Sequence, residues 1–165
     1  MDLLIGIVLC LFFLTLIVTG EIYFALDKQR IRAFVCFQNM RVNLDKWVEV
    51  TVELAEGSDT GRKTAEELRA LAQDYFNYKR YKETMMAVSL VNSIAAIAEQ
   101  LEEKASGTES DRILTERADF AGRVEPLRNE YNNCVRRLNA RLDSKLPATV
   151  GRLFRISKME KLRQL

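Results

Sequence analysis

Leu3-Leu4-Ile5-Gly6-Ile7-Val8-Leu9-Cys10-Leu11-Phe12-Phe13-Leu14-Thr15-Leu16-Ile17-Val18 carries no charge and a single polar side chain, Thr15. Such a run needs a bilayer or a buried core, and the sequence around it supplies no core. As an α-helix, residues 3–19 measure roughly 25 Å, the short end of a membrane span. Gly20, Ile22, Tyr23, Phe24, Ala25 and Leu26 lengthen the stretch with Glu21 as its one charge. Tyr23 and Phe24 fall where interfacial aromatics sit, and Lys28, Arg30 and Arg32 follow at once. Residues 1–26 are therefore expected to form an uncleaved transmembrane anchor. A cleaved signal peptide fits less well, because Met1-Asp2 is no positive n-region and Val18-Thr19-Gly20 leads into Glu21 without a small-x-small site. Cys10 lies mid-run with no basic residue ahead of it, which argues against a lipid-attachment cysteine. The bases Lys28, Arg30, Arg32, Arg41 and Lys46 all follow the span, so the N-terminus is expected outside and the body in the cytoplasm.

Beyond the anchor about 140 residues remain, enough for one domain. With seven Gly and only Pro126 and Pro147, the composition suits long helices with few turns. No Gly or Pro interrupts Ile22 to Glu56, where Phe34, Phe37, Leu44, Val48, Val52 and Ala55 fall at three- and four-residue spacing. Ile31, Val35 and Val42 are expected to widen that face. The helix would project about 50 Å from the membrane before the break at Glu56-Gly57-Ser58-Asp59-Thr60-Gly61. Thr64-Ala65-Glu66-Glu67 reads as a capping box opening a second helix with a face of Leu68, Leu71, Tyr75 and Tyr78.

Tyr75-Phe76-Asn77-Tyr78-Lys79-Arg80-Tyr81-Lys82 mixes aromatics with bases, a pattern also met in nucleic-acid binders. Helical spacing explains the aromatics without a ligand, and no nucleic acid is expected. Thr84 to Ala98 has no charge, but it is short for a span and carries Ser89, Asn92 and Ser93. Ala87, Val91, Ile94, Ala98, Leu101 and Ala105 give it the seam of a packed helix. Whether it is continuous with the second helix stays open. After Ser106-Gly107-Thr108-Glu109-Ser110 a helix is expected from about Asp111 to Asp143, with the stripe Phe120, Val124, Leu127, Tyr131, Cys134, Leu138 and Leu142 and a kink at Pro126. Pro147 suits the first turn of a short helix over residues 148–154. Leu153, Ile156, Met159, Leu162 and Leu165 then fall every third residue, which on an α-helix drifts about 60° per step and makes no clean face.

The net charge of +2 hides an asymmetry. Acids outnumber bases fifteen to nine from Glu49 to Asp119, whereas residues 121–165 hold eleven bases against Glu125, Glu130, Asp143 and Glu160. This basic C-terminal third either meets anionic lipid headgroups or pairs with the acidic helices. There is no His, so the commonest general base and transition-metal ligand is missing. Glu66/Glu67 and Glu102/Glu103 are helix neighbours pointing about 100° apart and do not converge. No phosphate loop, Gly-x-Ser-x-Gly or Cys-x-x-Cys occurs. Cys10, Cys36 and Cys134 are far apart in sequence, and the latter two fall in or beside apolar stripes, as inert thiols do. No catalytic, cofactor-binding or metal-ligating residue is assigned, and no cofactor. Asn132, Asn133 and Asn139 are the odd polar residues beside a packing stripe. They either bond the terminal helix and its turn or line a polar ligand pocket.

Tyr131-Asn132-Asn133-Cys134-Val135-Arg136-Arg137-Leu138-Asn139, followed by Pro147 and Gly151-Arg152-Leu153-Phe154, resembles the end of the bacterial LemA family, where a Tyr-Asn-x-x-Val-x-x-Tyr-Asn helix precedes a Pro and a short apolar segment. Gln100-Leu101-Glu102-Glu103 and Gly107-Thr108-Glu109 are similar to its preceding helix and turn. Leu138 replaces the second Tyr of the motif, and Val42 to Thr51 stands where the family has a Pro-Asn. The resemblance covers about half the body and implies a divergent member: a membrane-anchored helical bundle in a family with no settled activity and no established catalytic residues.

The expected architecture is all-α. An N-terminal single transmembrane helix (1–26) continues into an antiparallel up-and-down bundle of long helices (27–146), followed by a short C-terminal helix and basic tail (147–165). The expected function is a non-catalytic scaffold or adaptor for protein partners at the bacterial inner membrane. The alternative is a tethered sensor binding a small ligand or lipid in the bundle, with an enzyme a distant third.

Overall fold

The computed structural model describes residues 2–57, 62–78, 83–102 and 108–165, and every regular element among them is helical. In chain order these are α1 (Asp2–Gly57), α2 (Arg62–Asn77), α3 (Thr84–Glu102), α4 (Thr108–Leu142) and α5 (Lys145–Leu153). Helices α2 and α3 are separate elements. The expected breaks at 58–61 and 106–107, and Ala105 and Tyr81, lie outside the described residues. Three expected helix starts move: α2 begins at Arg62, two residues ahead of the Thr64 capping box, α4 at Thr108 rather than Asp111, and α5 at Lys145 rather than Ala148, with Pro147 in its first turn.

Helix α1 changes environment along its length. Residues 4–18 are exposed on every side, while Ile22 and Tyr23 pack on the core and Leu26 is fully buried. The last turn of the stretch assigned to the anchor thus already belongs to the body. Further on, Ala33, Phe37, Met40, Leu44, Trp47, Val48, Thr51, Leu54 and Ala55 form one buried stripe. Ile31, Val35 and Val42 do not widen it: all three are exposed, Val42 by 72%. At 100° per residue they lie roughly 180° from the Ala33–Phe37–Met40–Leu44 line, on the side no other helix covers.

Helices α2, α3, α4 and α5 all pack on α1, α4 most extensively. Along α1, Asp45 and Glu56 meet Tyr75 and Arg69 of α2 and Arg41 meets Tyr78 just past the end of α2, while Phe37, Trp47 and Glu53 meet Tyr131, Arg117 and Arg112 of α4. In both pairs residue numbers rise on α1 as they fall on the partner. Tyr75 is buried and donates to Asp45 Oδ1 at 2.7 Å, so it is a core residue and no surface stacking platform. In α3 the expected seam Ala87, Val91, Ile94, Ala98 and Leu101 is buried, together with Thr84, Val88, Asn92 and Ala95. The α4 stripe buries Val124, Tyr131, Cys134, Leu138 and Leu142, with Phe120 and Leu127 half-buried against the core. Helix α4 runs through Pro126. Pro126 and Gly122 are exposed, so the carbonyl that loses its i+4 donor faces water.

Helix α5 ends in a Schellman turn. Ile156 N–H donates to Gly151 O (2.8 Å) and Arg155 N–H to Arg152 O (3.3 Å) around Arg155, which has φ 55°. Glycine is the usual residue at that left-handed position because any Cβ there is crowded. Gly151 answers a different need. A Cβ on it would stand 2.6 Å from Leu142 Cδ2 and 3.0 Å from Ile156 O, so only glycine lets α5 close on the end of α4 and on the turn. Arg155→Gly is therefore expected to raise stability by about 1 kcal/mol. Gly151→Ala is expected to lower it by about 1–3 kcal/mol through overpacking. Thermal unfolding of both variants beside the parent checks the pair of signs.

Candidate functional site

After Arg155 the chain forms neither helix nor strand, yet Ile156, Met159 and Leu162 are buried and Leu165 is half-buried, with the residues between them exposed. Every third residue inward is the repeat of an extended chain with three residues per turn. The row that makes no clean face on an α-helix makes one here. No membrane-surface helix forms over residues 156–165.

An extended chain has no partners of its own for its N–H and C=O groups, so its environment must supply them. Three asparagines do. Asn139 of α4 donates from Nδ2 to Met159 O (2.8 Å) and accepts Met159 N–H at Oδ1 (2.9 Å). Asn132, two turns earlier on the same face, does the same to Leu162, at 2.8 Å in both bonds. From α3, Asn92 accepts Arg163 N–H at Oδ1 (2.8 Å), and its Nδ2 donates to Lys161 O (2.9 Å) and Glu160 Oε1 (2.7 Å). Tyr131 adds an O–H bond to Glu160 O at 2.9 Å.

Spacing makes the ladder fit. Seven residues of helix rise about 10.5 Å. Three residues of extended chain advance about 9–10 Å, so Asn139 and Asn132 meet Met159 and Leu162 in register with opposite direction. A carboxamide presents one acceptor and one donor edge in a plane, which is why asparagine can take both main-chain groups of one residue. Among the described residues the backbones of α3 and α4 approach closely at few points, and the two helices meet at the Arg117–Glu102 pair. The tail lies across them and joins the two.

Of the three asparagines marked by the sequence, Asn132 and Asn139 serve the tail rather than α5 or its turn. Asn133 is exposed and accepts from Arg136. Asn92, which sequence reasoning left inside an apolar helix, is the third rung. The polar groups around Tyr131–Asn139 that would have lined a ligand pocket are engaged by the chain's own backbone. A cleft of about 440 Å³ lies instead where the tail leaves α5, bounded by Arg30, Phe34, Thr84, Met85, Phe154, Arg155, Ser157 and Met159. On the rim, Lys158 pairs with Asp143 (2.5 Å) and Arg163 with Glu99 (3.8 Å), both pairs exposed.

Elsewhere the titratable groups answer structural needs. Arg117 of α4 is buried, pairs with Glu102 and lies 5.5 Å over the Trp47 ring. Burial holds its guanidinium below the ordinary value. Cys36 and Cys134 are buried. Burial first, then the neighbouring Cys134 and Glu130, pushes the Cys36 thiol up to about 12. Burial likewise raises Tyr75, helped by its bond to Asp45, and Tyr131, helped by Glu160. Among the described residues no group of three or more Cys, Asp or Glu converges as a metal set. No family model, curated protein or solved structure matches the chain.

Replacing Asn132 or Asn139 by Ala leaves one N–H and one C=O of the tail unpaired, an expected cost of about 1–3 kcal/mol. Trypsin should then cut after Lys158 and Lys161 at least about tenfold faster than in the parent, because cleavage follows the population of released tail. Alkaline pH gives a second check. Above pH 9.0, the ordinary thiol value, the unfolded chain loses the Cys36 proton while the folded chain keeps it up to about 12. The two tyrosines act in the same sense above their ordinary 10.0. The folded state therefore binds more protons, and its unfolding midpoint is expected to fall steadily as pH rises from 9 to 11. A flat midpoint over that range would contradict the burial of these groups.

Proposed function

We propose that this chain is a single-pass membrane protein whose up-and-down helical bundle works as a non-catalytic adaptor for other proteins. The observation that carries the reading is the bare part of α1. Twelve large apolar side chains between Leu4 and Val18 are exposed while the same helix continues into the core. Left in water they would form an apolar surface far beyond what soluble chains tolerate. In a bilayer they contribute roughly 5 kcal/mol of insertion free energy on a translocon scale. The helix near the N-terminus is long and apolar enough to cross a membrane. Residues 84–102 pass the same test of length and composition, but half of that window is buried in the body, as expected of a core helix.

The basic residues after the span support an N-terminus outside and a cytoplasmic body. The Tyr-Asn-x-x-Val-x-x-Leu-Asn stretch from Tyr131 to Asn139 resembles the LemA motif, and that sequence resemblance alone carries the reading of a bacterial inner-membrane protein. The exposed bases of the C-terminal third, Arg152 and Lys161 among them, are available to anionic headgroups near the inner leaflet. The adaptor reading draws on the rigid link between anchor and bundle and on a groove that holds an extended chain through its backbone.

Two charges in the span test the anchor. Leu9→Arg with Leu14→Arg adds about 5–7 kcal/mol to insertion and should move the chain from the carbonate-resistant membrane fraction to the supernatant. Topology reporters fused ahead of Asp2 and after Leu165 should report outside and cytoplasm respectively. A parent chain extracted by carbonate, or a C-terminal reporter active outside, would overturn the reading.

A further inference from the structure

We propose that the groove between α3 and α4 is a docking site for an extended segment of a partner protein, with apolar residues at every third position and basic residues between them, and that residues 156–165 are its resident intramolecular occupant. The site names the chemistry of what an adaptor of this kind would bind, and to that extent it rests on the adaptor reading.

The floor of the groove is built for a main chain. Asn132, Asn139 and the hydroxyl of Tyr131 spend their bonds to the tail on backbone atoms alone, and Asn92 spends two of three so. Asn92 is 7% exposed and Tyr131 is fully buried, so both need those partners. Backbone recognition tolerates many sequences but demands N–H groups where Met159, Leu162 and Arg163 stand, which excludes Pro there. Side-chain selection comes from the three inward positions, filled by Ile156, Met159 and Leu162, and from Glu160, whose carboxylate reaches back to Asn92, while Ser157, Lys158 and Lys161 are exposed. Charge selection comes from the rim, where Asp143 meets Lys158 and Glu99 meets Arg163. The occupant defined by these contacts is apolar-x-basic-apolar-x-x-apolar-basic, extended, and laid antiparallel to α4.

The resident segment is also placed to leave. It has no intrachain helix or strand bonds of its own, and it departs from α5 at Arg155, whose φ of 55° is an unfavourable backbone state for a non-glycine residue. A tethered occupant competes at an effective concentration of order millimolar. A partner segment therefore binds the intact chain weakly and binds well once the tail is weakened.

The probe is a fluorescent synthetic peptide of residues 154–165, added to the detergent-solubilised full chain. In the variant Ile156→Asp/Met159→Asp/Leu162→Asp the groove is intact and its occupant disabled, with folding verified by circular dichroism. That variant should bind the peptide at least about tenfold more tightly than the parent. Adding Asn132→Ala and Asn139→Ala should abolish the gain. A peptide N-methylated at the positions of Met159 and Leu162 should fail to bind, because it lacks the two donors that the asparagines accept. Equal binding by variant and parent, or retained binding of the N-methylated peptide, would overturn the proposal. Should the triple variant not fold, the peptide with a photo-crosslinker at position 159 is titrated against the parent. Labelling of α4 near Asn139 supports the site, and no labelling at saturating peptide overturns it. A parent dimer that disappears in the triple variant would assign the groove to a second copy's tail and overturn the partner reading. None of these outcomes depends on a bilayer, so their failure leaves the carbonate and topology results standing.

Discussion

Helix α1 is the element on which every other helix lies, with α2 and α4 along its buried stripe from Ala33 to Ala55 and the end of α5 against Tyr23. It works because the helix is uninterrupted: with no Gly or Pro between Ile22 and Glu56, apolar residues spaced three and four apart stay on one side for about ten turns. Helices α2 and α4 cover that side from two directions, while Ile31, Val35 and Val42 on the opposite side are left open. Continuity also couples the two ends of the helix. The apolar ring of residues 4–18 is an extension of the same rod that organises the core, so a span there would be joined to the helical body without a flexible linker.

The tail solves a gap that the helices leave. Away from the Arg117–Glu102 pair, α3 and α4 leave a groove between them. An extended chain fills it with three inward side chains, but at the cost of orphaned peptide groups. The asparagines of α3 and α4 remove that cost. The Schellman turn at the end of α5, with Gly151 close against Leu142 and Arg155 in the left-handed region, aims the chain into the groove. Local turn chemistry, helix register and polar satisfaction agree at this point.

Much of the helical framework was legible. The stripes of α3 and α4 emerged from spacing alone, because residues at i, i+3, i+4 and i+7 share a face whatever covers them. The side of α1 that would stay bare was not legible, since Ile31, Val35 and Val42 are as apolar as the stripe opposite and only the placement of other helices distinguishes them. The groove was half visible. Asn132 and Asn139 stood out beside a packing stripe, and the every-third row from Ile156 to Leu162 stood out as unsuited to a helix. The link between them was hidden because it pairs a helical period with an extended one, seven residues against three, across 20 to 30 positions. Asn92 gave no signal, since one amide in an apolar helix does not announce a partner 71 residues away.

Main-chain capture of the tail by side-chain amides is most directly read by amide hydrogen exchange of the full chain, resolved to single residues over 156–165. The N–H groups of Met159, Leu162 and Arg163 are expected to be protected, while those of Lys158, Lys161 and Gln164 exchange at rates close to an unstructured peptide. The protection of Met159 should be lost on Asn139→Ala and that of Leu162 on Asn132→Ala. Uniform fast exchange along the tail, or uniform protection that ignores those substitutions, would contradict the ladder.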